Sequence, residues 1–343
     1  MVNYSTKVRK GDRVLIVADC ESRDLALEAF KLALQKGAYP RLKALLPGFT
    51  YTFFKYASDE QIKHFPEVDY YEIKNTDVYI ALRGPENVKE LTNIDPQKIA
   101  ERFKVTKPIQ DWRVEKTRWV IFYYPTNALA QEAGMSLQEF EDFVYNACLV
   151  DWSKMVAEMK KLKQLLDSTD RVLIESSDTH LEFSVKGRNA VVGDGTYNMP
   201  DGEGFTSVLE DSTEGEIYYD IPAVYMGKVV EGVYLRFEKG KVVEAKAKEN
   251  EEFLIKMLDT DEGARRIGEF GIGYNYGITK AVKNILFDEK IGGTIHLAVG
   301  QGYKDTLSRN VSAIHWDMIK DLRKDGKVYF DGRLVMENGK WFL

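Results

Sequence analysis

The chain has 343 residues, 44% of them apolar, and a formal net charge of −6 at pH 7, enough for two ordinary domains with their own cores. An acidic balance without a clustered Lys/Arg stripe argues against nucleic acid as a partner, because a phosphate backbone needs cations concentrated on one face. No run nears the roughly 18 apolar residues of a membrane span, the N-terminal residues lack an apolar leader core, and Cys20 and Cys148 make neither a CxxC motif nor a disulfide framework; a cytoplasmic protein with reduced thiols and no membrane partner is expected.

The stretch Val14-Leu-Ile-Val-Ala18 is a short continuous apolar run, the pattern of a strand buried on both faces. A helix is predicted next: Ser22 stands where it can cap it, Leu25/Ala26, Ala29/Phe30 and Ala33/Leu34 recur at helical spacing, and Gly37 stops it. Residues 41–46 read as a second strand, closing a βαβ-like unit. The turn between the first strand and the helix, Ala18 to Asp24, holds no glycine, so the fingerprint that lets a pyrophosphate approach a helix is missing and a nucleotide-binding role is disfavoured. Residues 78–82 and 119–124 are further strands, which makes the N-terminal part an α/β domain with a parallel or mixed sheet and flanking helices.

Ser136-Leu-Gln-Glu139 is a capping-box pattern opening a helix with Leu137, Phe140, Phe143, Val144 and Ala147 on its apolar face. Another helix covers about 151–166, with Lys160, Lys161 and Lys163 as a solvated face. Ser168-Thr-Asp170 marks the expected boundary between an N-terminal α/β domain, 1–168, and a C-terminal α+β domain, 169–343, built on antiparallel sheet. There Leu181, Phe183 and Val185 alternate with an outward His180. Two alternating runs on either side of Lys239-Gly240 form a hairpin, a helix covers 251–258, and Asp331-Gly332 and Asn338-Gly339 turn an antiparallel meander.

Two of the four histidines fall between Gly293 and Asp317. His296 sits in Thr-Ile-His-Leu-Ala-Val, a β-branched and apolar run that suits a buried strand and would hold an imidazole rigidly. A histidine on such a strand is more often a hydrogen-bonded core residue than a ligand. His315 and Asp317, however, are two apart, and in an extended strand both side chains point to one face, where they can meet one ion or adjacent ions. Glu203 and Glu269 stand in glycine-flanked settings rather than on solvated helix faces.

The spans Asn198-Met-Pro-Asp-Gly-Glu-Gly-Phe-Thr206, Gly263-Ala-Arg-Arg-Ile-Gly-Glu-Phe270, Leu286-Phe-Asp-Glu289 followed by Thr294-Ile-His-Leu-Ala-Val-Gly-Gln-Gly-Tyr303, and Asn310-Val-Ser-Ala-Ile-His-Trp-Asp-Met318 occur in this order. Through them the chain resembles the aminopeptidase T family of thermophilic-type metalloaminopeptidases over nearly its whole length. The resemblance implies two divalent ions held in the C-terminal domain by Glu203, Glu269, His296, His315 and Asp317, with Tyr303 as a catalytic tyrosine. It also implies Glu289 as a further ligand or substrate contact, peptide substrates, and a homodimer. The link from Lys290 to Ile295 departs from the shorter one of many members.

A donor set of N and O without thiolate suits Zn, Co or Mn, and a pair of such ions supplies what amide hydrolysis needs at neutral pH. Tyr303 would donate to the oxyanion, Glu203 or Glu269 would carry the proton, and Asn310 and Ser312 would orient His315 from behind. The expected function is a dinuclear metalloaminopeptidase releasing N-terminal residues from short peptides. The alternative is a non-proteolytic protein whose divalent-metal site only stabilises the C-terminal domain.

Overall fold

The computed structural model describes residues 1–342, and contacts divide the chain into two compact units, residues 1–141 with 195–199, and residues 142–194 with 200 onward. In the first unit Val14 to Ala18 are all buried, as a strand covered on both faces requires. That strand, Arg13–Asp19, pairs in parallel with Tyr39–Leu45 on one side and Val78–Arg83 on the other. Arg118–Tyr123 and Asn198–Met199 extend the sheet, again in parallel.

Helix Arg23–Gln35 buries Ala26, Ala29 and Ala33, and Gly37 at φ +75° ends it. Ser22 precedes the helix but does not cap it. Its hydroxyl donates to the carbonyls of Asp19 at 2.7 Å and Leu82 at 3.2 Å, tying the turn to the neighbouring strand instead. Helix Pro96–Lys116 has no fully buried residue; its inward face, with Ile99, Val105, Ile109 and Trp112, is only half-buried and broken by charged residues, which weakens its periodicity. Asp95 caps it by accepting from the Gln97 amide at 2.9 Å, and proline fits its first position.

The division between units falls within helix Leu137–Cys148, whose capping box forms: the Ser136 amide donates to the Glu139 carboxylate at 2.8 Å, and the Glu139 amide to the Ser136 hydroxyl at 3.2 Å. Helix Trp152–Asp167, which a boundary at Ser168 assigns to the N-terminal half, has its contacts in the second unit, where it buries Met159, Leu162 and Leu166.

Two large antiparallel sheets and a two-stranded ribbon, Ala223–Tyr225 with Lys228–Val230, build the second unit. The larger runs Lys241–Lys246, Val233–Glu238, Glu214–Tyr219, Thr179–Ser184, Arg171–Ser176, Lys327–Phe330, Arg333–Glu337, Lys340–Trp341. Its hairpin turns are those read from the sequence: Lys239-Gly240, Asp331-Gly332 and Asn338-Gly339 all have both residues at positive φ, as type I′ turns need. The smaller sheet runs His315–Asp321, Thr294–Gly300, Ile267–Gly273, Glu203–Thr206, Val191–Gly193. Leu181 and Phe183 of the larger sheet share one core with Phe270, Ile295 and Leu297 of the smaller, where the rings of Phe183 and Phe270 meet edge to face at 5.0 Å. Among the described residues no helix is long and apolar enough to cross a membrane.

Because Phe183 is fully buried at this junction of sheets, Phe183→Ala should lower unfolding free energy by about 3–5 kcal/mol. The midpoint of urea unfolding reads this, and a loss below about 1 kcal/mol would mean that the Phe183–Phe270 contact does not hold the sheets together.

Candidate metal centre

Every residue of Ile267–Gly273 and Thr294–Gly300, two neighbouring strands of the smaller sheet, is buried. Alternation sends Ile295 and Leu297 into the shared core and His296 to the opposite face. On that face His296 stands opposite Gly271, and a Cβ at residue 271 would lie 1.9 Å from His296 Nε2. Only glycine leaves the imidazole its place. Asp317 pairs with Ala298 and His315 with Gly300 in the next strand, and Glu203 with Gly273 on the other side. The register thus gathers Glu203, Glu269, His296, His315 and Asp317.

Their side chains form a line of contacts. His296 Nε2 lies 3.5 Å from Glu203 Oε2 and 3.2 Å from Glu269 Oε1. His315 Nε2 lies 3.9 Å from Glu269 Oε2 and 3.4 Å from Asp317 Oδ2. Each imidazole turns its other nitrogen to a backbone carbonyl, His296 Nδ1 to Glu289 O at 3.1 Å and His315 Nδ1 to Gln301 O at 2.6 Å. A carbonyl only accepts, so Nδ1 carries the hydrogen in both rings, and in the neutral form the Nε2 lone pair is directed at the carboxylates. Tyr303, beyond the turn at Gly300 with φ +99°, places its ring 5.1 Å from that of His315 and 5.7 Å from Phe205.

One sequence expectation is corrected. Asn310 does not reach His315: its amide donates to the carbonyls of Gly263 at 2.9 Å and Gly300 at 2.6 Å, and Ser312 accepts from the Ile314 amide, so both hold the loop. The carbonyl of Gln301 orients the ring instead. Glu289, expected as a further ligand or substrate contact, lies beside the cluster with its carboxylate paired with Lys290. Lys290, which no sequence pattern marks, is wholly buried, and its Nζ also lies 3.2 Å from Glu203 Oε1.

A divalent cation fits this donor set. Glu203, Glu269 and His296 each offer an atom within 4.8 Å of the others. Glu269 Oε2 and Asp317 Oδ1 are buried with no hydrogen-bond partner, an arrangement that is costly unless a cation answers it. The atoms are oxygen and imidazole nitrogen without thiolate, as borderline-to-hard divalent ions prefer.

In the metal-free protein, burial acts to lower the pKa of His296, but the hydrogen bond to Glu269 and the charges of Glu203 and Asp317 overcome it and bring it to about 9. His315 is likewise opposed by burial and raised by Asp317 and Glu269, to about 10. Asp317, despite its burial, is lowered to about 2 by His315. Burial raises Glu203, Glu269 and Glu289. Tyr303 is half-exposed, and partial desolvation with the surrounding carboxylates holds its phenol above its ordinary value, so it stays a neutral donor.

The chain matches the family model described as thermophilic metalloprotease (M29) over residues 1–341. Aminopeptidase 2 of Geobacillus stearothermophilus is 24% identical, across 99% of this chain and 95% of its own length. Aminopeptidase T of Thermus thermophilus is 28% identical across 74% of each. Among solved structures, wild-type AmpT from Thermus thermophilus has a TM-score of 0.87 at 22% identity, covering 99% of this chain and 96% of its own. The 2,5-dihydroxypyridine dioxygenase from Pseudomonas putida KT2440 has a TM-score of 0.64 at 14% identity, covering 98% and 93%. At these identities the two structures share the fold.

Raised imidazole pKa values stabilise the metal-free fold fully below the unfolded value of about 6.5, and that contribution is lost as pH rises through about 9 to 10. An ion needs the neutral rings, so loading should expel up to about two protons per chain at pH 7, and apparent affinity should climb with pH until both rings have titrated. Calorimetry in buffers of different ionisation heat measures the protons, and a pH-independent affinity would remove both histidines from the ligand set.

Proposed function

The chain belongs to the thermophilic metalloprotease family M29, and from that premise we propose that it is an aminopeptidase in which Glu203, Glu269, His296, His315 and Asp317 hold two divalent ions, zinc, cobalt or manganese. The observation that carries the reading is the position of Glu269 between the imidazoles, one oxygen toward each. Glu269 would hold the ions together with His296, His315 and Asp317, and Glu203, with one oxygen toward Lys290 and the other toward His296, would add its carboxylate from the far end.

When bound, such a pair supplies an acidified water and a polarised scissile carbonyl. The remaining work falls to the chain. Tyr303, kept protonated, donates its O–H to the oxygen that gains charge as the amide carbon becomes tetrahedral. A carboxylate of the cluster takes the proton from the attacking water and returns it to the leaving amine. Glu203 and Glu269, 3.5 and 3.2 Å from the His296 ring, are the carboxylates placed for this role. The substrates are short peptides with a free N-terminus, in keeping with the aminopeptidase names of the relatives.

The test compares a leucine-initiated peptide with its N-acetylated twin, using chelated protein with and without cobalt or zinc. Cleavage of the free-amine peptide alone, and only with metal, is expected. Cleavage of both would keep the hydrolysis and remove the exopeptidase assignment. A metal that raises the melting temperature without any cleavage would point to a structural site. Tyr303→Phe should cut kcat by about 10²–10³ with metal affinity unchanged, and full activity in that variant would leave Tyr303 as packing.

A further inference from the structure

Strand Glu203–Thr206 brings Glu203 to the cluster and points Gly204 at Leu162 of the apolar core. Alternation then returns Phe205 to the face that Glu203 occupies. The register fixes its place there: Phe205 stands opposite Val191 on one side and Gly271 on the other, and Gly271 stands opposite His296. The imidazole lies over Gly271, so Phe205 is the next side chain of the row beyond the ring. Phe205 and Val191 are half-buried and stand outside the apolar core. The ring of Tyr303 is 5.7 Å from that of Phe205 and 5.1 Å from that of His315. The cluster is also unequally open. Lys290, His296 and Glu203 keep 0%, 1% and 9% of their side chains exposed, whereas His315 keeps 26%. An extended peptide can continue past His315, and the Glu203 end is closed.

We propose that Phe205, with Val191, receives the side chain of the substrate's N-terminal residue, so that peptides beginning with a large apolar residue are preferred to those beginning with alanine. This rests on the aminopeptidase reading above. The placement follows from how the substrate is bonded. Tyr303 donates to the oxygen of the scissile carbonyl, and the α-carbon of the first residue is bonded to that carbonyl carbon. Its side chain therefore starts two bonds from the reacting atom and lies along the surface that borders Tyr303. On the closed side, where a residue with nothing before it fits, that surface is Phe205 and Val191. They offer carbon and no charge. A side chain laid on them leaves water with a gain that grows with each methylene, and an aromatic ring makes the contact broad and rigid. Phe205 touches no reacting atom, so its part is selection and not catalysis.

L-leucine hydroxamate and L-alanine hydroxamate carry the same amine and chelating group and differ only in side chain. Calorimetry on zinc-loaded protein compares their affinities without turnover, and kcat/KM for Leu-Gly-Gly against Ala-Gly-Gly compares the side chains with it. In the wild type leucine should lead by about tenfold or more in both ratios. Phe205→Ala should erase most of that lead, Phe205→Leu should recover part of it, and Phe205→Trp, which fills the space, should turn the ratios toward alanine. Each ratio is internal to one variant, so a partial loss of active protein does not move it. A wild type without the lead, or a lead that survives in Phe205→Ala, would overturn the inference while cleavage of the peptides leaves the aminopeptidase reading standing. So would a preference that follows the second residue of the peptide and disappears in Phe205→Ala, since the ring would then serve the leaving side. Hydroxamate selectivity that Phe205→Ala abolishes, with neither peptide cleaved, would support the side-chain site and remove the peptidase reading. Neither binding nor cleavage would overturn both. If Phe205→Ala does not fold, Val191→Phe crowds the same surface, and an undiminished preference for leucine there would refute the proposal.

Discussion

A carboxylate taken out of water beside three others is unfavourable twice over, through lost hydration and through mutual repulsion. In the second unit the acids escape this by alternating with nitrogen, in the order Glu289, Lys290, Glu203, His296, Glu269, His315, Asp317. Each acid in the line has a nitrogen within salt-bridge distance. The arrangement depends on the sheet that carries it, because a slip of one residue in any strand would send its acid or imidazole into the apolar core. Register and charge pattern therefore support each other.

The supporting details are mostly backbone. His296 keeps its orientation because Gly271 has no side chain and because the Glu289 carbonyl takes the Nδ1 hydrogen. His315 is fixed by the Gln301 carbonyl, itself set by the loop that Asn310 ties to Gly263 and Gly300. Main-chain partners hold a ligand's ring without adding charge to the site, so the electrostatics remain those of the seven side chains.

What the sequence could disclose follows from how local each signal is. The run around His296 read as a buried strand because β-branched and apolar residues surround it, and His315 and Asp317 read as sharing a face because strand period is two. Glu203 and Glu269 had only glycine-rich surroundings, and their part in the site came through the resemblance rather than from pattern. Lys290 gave no signal: a lysine beside a glutamate looks solvated, and its burial depends on Glu203, which strand pairing brings near from a distant part of the chain. The Gln301 carbonyl was equally invisible, since every residue has one. In the fold, the apolar strand Arg13–Asp19 and the I′ turns were legible. Helix Pro96–Lys116 was not, because its inward face is only half-buried and mixes apolar with charged residues.

The strand Asn198–Met199 completes the first unit's parallel sheet, although the segments before and after it, Val191–Gly193 and Glu203–Thr206, belong to the second unit. A ribosome delivers the chain in order, so the first sheet must wait beside Arg118–Tyr123 with an open edge while helix Trp152–Asp167 and the first hairpin of the other unit are made. A polypeptide cut at residue 168 would keep that edge unpaired for good and expose a row of backbone donors and acceptors that invites pairing between chains. The two units are thus interleaved in their time of assembly.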